Sequence, residues 1–537
     1  MRQAWSTPIA PLSRKNNGFF KPQIPLSAEF GGNWQELFIA ALRILMQGED
    51  AHRRRSRRFD LCQRLIAVPW FRGHDGAGGV PGPRRVGVTC TNGTIFMPRL
   101  LIIQPTPYHS RSKREPYRIR KRKVIGAVAP YLAALAPSHW DVTFTDDAIE
   151  EPNYAAPVDV VVLTVRTVTS FRAYEIAARF RERNIPVLMG GPHATFHAQE
   201  MAAHADAVCI GEGEGIFATM LEDAAAGRLQ KFYRRQTVAD LAAMPPPRWD
   251  ILKPKNYAFY SPFVIQYSRG CPYTCDFCAE RRLNGDYGYR YRPVADVVEE
   301  IKRCGKRHIF FAASQFVGNK ARTMALLEAL IPLKIRWSAL FSAHFFLDPK
   351  FTALARRSGL LHVNMGIESI SQNTLKAMNK NFNKSQEYGH IAQILHQNDI
   401  SFSFNFVFGA DDDDLDIFPK TLAFLNEHKV DAAYFNVMVP LRGTPLYARM
   451  RADGRIIDEE NMDRWPGVFC HFRPLRFSPE QLIREVKTLQ RSFYSLGSIA
   501  RRLPLPRSEA HLASWNVNVS QRKVAINSDS MNEFEDF

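Results

Sequence analysis

Between Leu100 and Val439, short apolar runs alternate with segments whose apolar residues recur at helical spacing. In the first half of this stretch each predicted strand is at most seven residues long, and helices are predicted between the strands. Buried runs of this kind, separated by helices, are typical of a parallel sheet covered on both faces. The predicted strands are Leu100–Gln104, Trp140–Phe144, Val158–Thr164, Pro186–Met189 and Ala207–Ile210.

A second α/β series follows and also alternates strands with helices. Because the functional groups of parallel α/β folds lie at the carboxyl ends of the strands, the residues that follow each strand are the candidates for chemistry. The predicted strands of this series are Phe263–Tyr267, His308–Ala312, Ile335–Ser342, His362–Ile367, Ser401–Phe408 and Ala433–Val439.

The pattern divides the chain into six parts. Residues 98–226 and 263–450 are predicted to form the two α/β domains, and the Pro-rich residues 227–262 to link them. Residues 1–97 carry the arginine run Arg53–Arg58, and we expect either a disordered tail or an over-long gene-model extension. Residues 451–507 are predicted to be helical, and the polar residues 508–537 to be a disordered tail.

The C-terminal helical region has two interpretations. Its apolar residues recur every three or four positions and are surrounded by arginine and lysine, as a helix packed on the second domain would be. A helix lying on a membrane surface has the same pattern, which would give a peripheral membrane contact. The residues concerned are Leu482, Ile483, Val486, Leu489, Phe493, Leu496 and Ala500.

The net charge of +18 favours nucleic acid or an anionic membrane at first sight. Its distribution argues against a nucleic-acid partner, because residues 1–96 hold 14 Lys and Arg against 6 Asp and Glu, and residues 97–126 hold nine against one. The two predicted domains are otherwise close to neutral. The sequence contains no apolar run of eighteen residues, so we expect no transmembrane helix.

Three of the eight cysteines lie together directly after the first strand of the second domain, at Cys271, Cys275 and Cys278. The other five are scattered, which predicts no disulfide framework and a reducing cytoplasm. Short cysteine spacings let one loop hold an iron–sulfur cluster, and three ligands would leave one of four irons open. The alternative is a zinc knuckle, which needs a further Cys or His pair nearby.

The spacing C-x3-C-x2-C, with Phe277 before the last cysteine, resembles the radical S-adenosylmethionine (SAM) superfamily. The resemblance implies a six-stranded partial TIM barrel with a 4Fe-4S cluster on the three cysteines. It also implies that SAM binds the open iron and is cleaved to a 5′-deoxyadenosyl radical. By the same resemblance, Phe277 lies near the adenine, Glu368 binds the ribose, and Gly409 ends the strand that packs on the adenine. One departure is Ala312–Phe316, where relatives often carry acidic residues.

The first domain resembles the cobalamin-binding domain that precedes many radical SAM domains. The resemblance lies in the strand that ends at Thr164, in Gly190 and Gly191, and in Gly211 and Gly213, and it implies that these residues contact cobalamin. Domains of this kind that supply a histidine to cobalt carry D-x-H-x-x-G after the first strand. Here His109 lacks both the Asp and the Gly, so we expect cobalamin to bind without a protein histidine.

The two resemblances together identify a cobalamin-binding-domain-containing radical SAM enzyme. They imply a C-methyltransferase acting on a small-molecule or lipid substrate, with a reducing partner such as flavodoxin or ferredoxin. A radical cyclase or oxidoreductase of the anaerobic tetrapyrrole type is an alternative. A methylthiotransferase would need a second cluster, and residues 98–245 hold only Cys209. A cobalamin or redox sensor is the non-enzyme alternative.

Overall fold

The structure is a computed structural model that describes residues 97–110, 114–258, 260–285, 287–460 and 469–526. Its first sheet is built from residues near the start of this range. The strands of this sheet are β1 (Arg99–Gln104), β4 (Asp141–Asp146), β5 (Val160–Thr164), β6 (Val187–Gly190), β7 (Ala207–Ile210) and β8 (Phe232–Arg234). Two short strands, β2 (Tyr108–Ser110) and β3 (Glu115–Pro116), form a separate hairpin. The prediction for residues 1–97 lies outside the described residues, apart from Met97.

The first sheet has the strand order β4-β1-β5-β6-β7-β8, and all its pairs are parallel. This is the flavodoxin-type order with one strand added at the β7 edge, which confirms the predicted fold class. Helices cover the sheet on both sides. They are Val128–Leu135, Ser170–Arg181, Pro192–Phe196, Ala198–His204 and Phe217–Ala225.

The strands are continuous apolar runs because each of their two faces packs against a separate helix layer. In β1, Leu101 and Ile103 lie in one buried cluster, while Leu100 and Ile102 lie in the other. All four side chains are at most 5% exposed. A one-residue slip of register would exchange the two sets, so the packing fixes the register of the central strand.

β8 corrects the predicted boundary between the first domain and the linker. Its residues Phe232–Arg234 pair with Val208–Ile210 and belong to the first sheet, although they lie inside the predicted linker 227–262. The short length of β8 and the flanking polar residues concealed it. The rest of the linker runs through three short 3-10 turns, Leu241–Ala243, Trp249–Ile251 and Pro254–Asn256.

The second sheet has the order β16-β15-β14-β13-β12-β9, so neighbours in the chain are neighbours in the sheet. Six parallel strands in sequential order form the predicted partial TIM barrel. Its strands are β9 (Phe263–Ile265), β12 (His308–Phe311), β13 (Arg336–Phe341), β14 (Leu360–Glu368), β15 (Ser401–Phe408) and β16 (Ala432–Val437); β10 (Ser268–Arg269) and β11 (Arg290–Tyr291) form a separate antiparallel ribbon.

Four of the helices of the second domain begin at a residue whose side chain accepts a hydrogen bond from the first turn. Asp348 accepts hydrogen bonds from Lys350 and Phe351 ahead of Pro349, and Ser371 caps the helix that follows β14. The helices between and after the strands are Glu280–Leu283, Val294–Cys304, Lys320–Leu330, Pro349–Arg357, Gln372–Ala377, Tyr388–Gln397, Ile417–Glu427 and Pro445–Ala452.

One helix begins later than the sequence pattern predicts. The pattern extends from Val124 to Leu135, but the helix begins at Val128. Ile125 is instead bonded to the edge of the second sheet, since its N–H donates to Pro262 O at 3.0 Å and its carbonyl accepts from Val264 N at 3.0 Å. A tertiary contact thus overrides the local helical pattern.

The C-terminal region forms three helices, Pro479–Phe493, Leu496–Arg502 and Glu509–Ile526. The first carries its apolar residues Leu482, Val486, Leu489 and Phe493 into the core of the second domain. That face is therefore covered by protein, and the membrane-surface interpretation of this helix is wrong. Among the described residues, no helix combines the length and the apolar character that crossing a bilayer requires.

The third C-terminal helix corrects the prediction of disorder over residues 508–537 for the part that is described. Ser514 donates a hydrogen bond to the Asp431 carboxylate, and Asn518 donates to Asp431 O at 2.7 Å. Asp431 directly precedes β16, so this helix lies at the amino ends of the strands. Its polar sequence concealed it because two polar side chains, Ser514 and Asn518, are buried beside the small apolar Ala510 and Ala525.

Replacing Asn518 with alanine should lower the free energy of unfolding by about 1–3 kcal/mol, because buried hydrogen bonds to Asp431 and Arg502 are lost. Asn516→Ala, on the exposed face of the same helix, is the matched control and should change little. Urea titration of both variants checks this. Equal urea midpoints for the two variants would contradict the buried contacts of Asn518.

Candidate cofactor and active site

The loop that carries the three cysteines leaves β9 through the β10–β11 ribbon. Ser268 pairs with Tyr291 and Arg269 with Arg290, and the chain then turns at Gly270, where φ is +87°. A Cβ at Gly270 would lie 2.2 Å from the carbonyl oxygen of Gly288. Only glycine fits both this backbone angle and this approach.

The opposite side of the loop is tied to the carboxyl ends of other strands. Asp276 N donates to Met378 O at 3.1 Å, and Asp276 O accepts from Leu446 N at 3.0 Å. Asn379 Nδ2 donates to Thr274 O at 2.9 Å. The cysteine loop is therefore held by residues that follow β14 and β16, as well as by the ribbon.

The three thiols share one environment. Cys271 and Cys275 are half-buried and Cys278 is exposed. Burial raises the pKa of Cys271 to about 11 and that of Cys275 to about 12, with the neighbouring thiols adding to the effect. These thiols are therefore protonated at neutral pH, and iron would displace their protons on binding.

The donor set fits a cluster better than a single metal ion. In the described part of the chain, no three His, Cys, Asp or Glu side chains are grouped as ligands of one ion. A four-iron cluster does not require such a group, because each thiolate binds a different iron. The loop thus supplies three soft ligands and no fourth from its own residues.

Lys380 connects the predicted SAM residues to the cysteine loop. Its ammonium Nζ lies 2.7 Å from Glu368 Oε1, 5.9 Å from the ring centroid of Phe277 and 5.3 Å from that of Phe382. The side chains of Lys380 and Glu368 are 10% and 8% exposed. Although burial alone would lower it, the pKa of Lys380 is raised, because the charge of Glu368 stabilises its ammonium; Cys275 and Cys278 add to this only when they are ionised.

Glu368 sits at the carboxyl end of β14 in a strained conformation. Its φ is +61°, and the register of β14 against β15 shifts between Gly366 and Glu368. A Cβ at Gly366 would lie 2.5 Å from Glu368 Oε1, so glycine there makes room for the carboxylate. Backbone strain of this kind is found at functional sites, where the surroundings hold it in place.

Phe277 lines a small cleft with apolar walls. The other apolar residues of the cleft are Ala377, Met378, Ala410, Met438, Leu446 and Met450. The cleft lies where the cysteine loop meets the ends of β15 and β16. A flat, apolar group such as an adenine ring is the chemistry that such walls favour.

Gly409 lies next to this cleft, but packing explains why it is glycine. Its φ is +105°, and a Cβ would approach Leu482 at 2.8 Å and Phe472 at 2.9 Å. The turn after it is held by Asp413, whose carboxylate accepts from the N–H groups of Gly409 and Ala410. Asp413 is 3% exposed, so it is not the solvated loop residue that an acidic run suggests.

The end of β12 carries an uncharged polar group, Gln315. Gln315 accepts a hydrogen bond from Ser342 N at 3.0 Å and donates to Ser342 Oγ. Tyr289 donates to Ser268 Oγ at 2.8 Å and contacts Gln315 O at 2.5 Å. Gln315 therefore ties the ends of β12 and β13 to the ribbon.

The predicted cobalamin residues of the first sheet share its carboxyl edge. Thr164 and Gly190 are register partners in β5 and β6, and Gly211 and Gly213 follow β7. A Cβ at Gly211 would meet nothing within 4 Å, and one at Gly213 would only touch Phe217 Cβ at 4.0 Å. The edge is open at these two glycines, as a large ligand requires.

Gly191 differs in the space around it: Gly211 also has a positive φ, +83°, but only at Gly191 would a Cβ meet the backbone. The φ of Gly191 is +107°, and a Cβ there would lie 2.8 Å from the carbonyl oxygen of Val165. The glycine lets the helix Pro192–Phe196 begin directly against β5. We therefore separate Gly191 from the open glycines of this edge.

Near this edge, both ring nitrogens of His193 bond to protein groups, whereas the buried Nδ1 of His197 has no hydrogen-bond partner among the described residues. His193 Nε2 lies 3.0 Å from Tyr174 Oη, and its Nδ1 lies 3.3 Å from Thr167 Oγ1. His197 stacks on His193, with the ring centroids 4.5 Å apart. The side chain of His109 lies outside the described residues.

Sequence reasoning missed the residues that join the two predicted sites. Lys380 carried no local signal, since it is one lysine in a loop and only the fold brings it to Glu368. Arg269, Arg290, Glu212 and Glu214 form ion pairs between the domains. The sequence contained one indication of these pairs. Arg269 lies next to the cysteine motif, and the two glutamates lie next to Gly211 and Gly213.

The fold and the cysteine loop define an α/β domain of cobalamin-binding type joined to a radical SAM barrel. A family model described as the radical SAM superfamily matches residues 265–425, and one described as the B12 binding domain matches residues 128–221. The chain is 30% identical to bacteriochlorophyllide d C-12(1)-methyltransferase of Chlorobaculum tepidum, over 69% of this chain and 83% of that protein. The chain therefore belongs to the family of cobalamin-dependent radical SAM enzymes.

Two further likenesses agree with this assignment. The anaerobic magnesium-protoporphyrin IX monomethyl ester cyclase of Cereibacter sphaeroides is 24% identical over 63% of this chain and 60% of that protein. The radical SAM methyltransferase TsrM of Kitasatospora setae, solved with cobalamin and a 4Fe-4S cluster, aligns with a TM-score of 0.57 and 14% identity over 80% of this chain and 100% of that one. The chain is an enzyme whose cofactors are a 4Fe-4S cluster, SAM and cobalamin.

Replacing Lys380 with methionine should lower the free energy of unfolding of the cofactor-free protein by about 3–5 kcal/mol, because Glu368 is left buried without its counter-charge. Lys376→Met, on the exposed side of the preceding helix, is the control. Adding Glu368→Gln to Lys380→Met should recover much of the loss in denaturant titration. Additive losses in the double variant would contradict a coupled pair.

Proposed function

We propose that this enzyme transfers a methyl group to an unactivated carbon of a small-molecule substrate. The observation that carries the proposal is the facing of two carboxyl edges. The open glycines after β7 and the cysteine loop after β9 are joined by ion pairs between Glu212 or Glu214 and Arg269 or Arg290. A methyl carrier and a radical source would then act on one substrate held between them.

In this proposal the cysteine loop holds the iron–sulfur cluster. Cys271, Cys275 and Cys278 are the ligands, and Gly270 and the Asp276 backbone bonds keep the loop in shape. When bound, the cluster and SAM supply a 5′-deoxyadenosyl radical, and cobalamin supplies a carrier for the methyl group. The protein supplies binding, orientation and the exclusion of water.

SAM is assigned to the groups around Lys380. Glu368 offers its carboxylate to the ribose hydroxyls, and the hydrogen bond from Lys380 to its Oε1 fixes its orientation. Phe277 and the apolar cleft beside Ala410 accept the adenine. Gly409 contributes by shaping the turn, which Asp413 holds by two backbone hydrogen bonds.

Cobalamin is assigned to the carboxyl edge of the first sheet. Thr164 and Gly190 line the edge beside the switch point of the strand order, and Gly211 and Gly213 let the backbone approach a bulky ligand. Gly191 supports this edge by letting the next helix pack against β5. No histidine is assigned to cobalt.

The substrate class follows from what the relatives act on. A bacteriochlorophyllide methyltransferase at 30% identity favours methyl transfer to a small molecule over a lipid, and over the ring closure that the cyclase name describes. We place the enzyme in the cytoplasm, where its thiols would stay reduced. A flavodoxin or ferredoxin is the class of reductant it requires.

Methyl transfer is tested by supplying SAM with a deuterated methyl group. The reconstituted protein, cobalamin and dithionite are incubated anaerobically with a small-molecule extract of the source cells. We expect a product that gains the labelled methyl, detected by mass spectrometry. A product that changes by other masses, with 5′-deoxyadenosine formed, would favour the cyclase-type reaction instead.

Replacing Cys271, Cys275 and Cys278 with alanine should abolish the bound iron and 5′-deoxyadenosine formation, because the ligands of the cluster are removed. The triple variant should still retain cobalamin, since that site belongs to the other domain. Iron analysis and absorbance spectra measure both. Cys304→Ala, outside the loop, is the control, and full iron content in the triple variant would refute the assignment.

Paramagnetic resonance of the cob(II)alamin-bound protein should show cobalt lines without nitrogen splitting, because no protein histidine is expected below the metal. The first-strand loop lacks D-x-H-x-x-G, and His193 is held by Tyr174 and Thr167. Threefold splitting that His109→Ala removes would contradict this expectation. Failure to retain cobalamin on gel filtration would contradict the cofactor assignment itself.

A further inference from the structure

Two loops from the two domains meet through four charged side chains. Glu212 and Glu214 follow β7, while Arg269 and Arg290 lie opposite each other in the β10–β11 ribbon. Arg290 forms a bidentate pair with Glu212, at 3.0 Å and 2.6 Å. Arg269 bonds Glu212 at 3.1 Å and also bonds Glu214. We call these four residues the clasp.

The clasp is buried and carries no net charge. Its four side chains are only 10–15% exposed. Although burial acts in the opposite direction, hydrogen bonds and charge from Arg290 and Arg269 hold the pKa of Glu212 below its usual range. The backbone around the clasp is also tied, since Arg290 donates to Ala239 O at 3.2 Å and Arg235 donates to Glu214 O.

The clasp residues lie next to the residues predicted to hold the two cofactors. Glu212 lies between Gly211 and Gly213, the two open glycines of the first sheet. Arg269 lies two residues before Cys271, the first cysteine of the loop. Any movement of one loop against the other must therefore stretch or break an ion pair of the clasp.

A second, separate attachment holds the domains together at another place. Arg292 donates to Tyr131 Oη at 2.8 Å and pairs with Glu300, and Ile125 bonds to the edge of β9. Tyr131 and Ile125 belong to the first half of the chain, and Arg292 and Glu300 to the second. Arg292 lies two residues after Arg290, so loss of the clasp would leave the domains joined and remove only the direct ion pairs between the two loops.

We propose that the clasp of Glu212, Glu214, Arg269 and Arg290 fixes the distance between cobalamin and the iron–sulfur cluster. This rests on the proposed function, in which the open glycines face cobalamin and the cysteines hold the cluster. The four residues are positioning residues, because they act on the loops and do not touch the reacting atoms. Buried ion pairs are poor sources of stability, so a geometric role accounts better for their presence.

The test measures that distance directly in the full chain loaded with cluster and cob(II)alamin. Pulsed paramagnetic resonance of the reduced cluster and cob(II)alamin reports their dipolar coupling. We expect a single narrow distance in the unaltered protein. Glu212→Gln and Arg290→Met should each lose it and give a broad distribution, with iron and cobalamin contents unchanged.

The double variant Glu212→Gln/Arg290→Met should be no broader than Glu212→Gln alone, because that single change already removes the ion pair with Arg290. Glu299→Gln and Arg303→Met form the matched control, since this pair also lies 3.1 Å apart but its side chains are more than half exposed. The control should keep the narrow distance. Rescue of the distance by Glu212→Asp would further support the clasp.

Two outcomes overturn the proposal in distinguishable ways. A narrow, unchanged distance in both single variants would refute the clasp while leaving the proposed function intact. A missing cluster or cobalamin signal in the unaltered protein would refute both. Hydrogen exchange of the cofactor-free variants is an independent measurement, in which residues 211–215 and 268–271 must exchange faster together; unchanged exchange would also refute the clasp.

Discussion

The approach of Gly270 to the carbonyl of Gly288 fixes the ribbon on which both cofactor assignments depend. The close contact holds β10 against β11, and so determines where the chain emerges as the cysteine loop. The same ribbon carries Arg269 and Arg290 toward the first domain. One steric constraint on two backbone segments therefore aligns the predicted cluster ligands with the predicted cobalamin edge.

Three sets of buried charged side chains surround this ribbon and the cysteine loop. Each set connects different parts of the fold. Lys380 with Glu368 joins β14 to the cysteine loop, and Arg292 with Glu300 and Tyr131 joins the domains. The clasp joins the two carboxyl edges. Desolvation of the two charges cancels most of the stability that such a pair provides, whereas removing one partner lowers the free energy of unfolding strongly. They therefore restrict geometry more than they stabilise the fold.

The sequence predicts the parts of this arrangement that are local. A continuous apolar run identifies β1 almost to the residue, an alternation of polar residues with phenylalanine identifies β15, and the cysteine spacing identifies the loop. It does not predict Lys380, because nothing near that residue indicates that Glu368 is within 2.7 Å. It also misjudges the helix Glu509–Ile526, because its Ser514 and Asn518 bond to Asp431, which only the fold brings near.

The inner surface of the barrel explains why the chemistry belongs at one end. Near the amino ends of the strands, His362 lies between Ser401 and Ser403, and Ser401 contacts Ser514 of the last helix at 2.8 Å. Burial lowers the pKa of His362 to about 4, so this histidine is neutral at physiological pH.

Further along the same strands, Asn405 donates to Asn364 at 2.6 Å, and the charged pair of Glu368 and Lys380 follows only at the carboxyl ends. The C-terminal helix occupies the opposite end, against Asp431. The strands thus pass from a histidine held neutral among hydroxyl groups to charged groups beside the thiols. A substrate that must reach both cofactors would lie at the carboxyl edges of the strands, and the last helix would affect stability rather than chemistry.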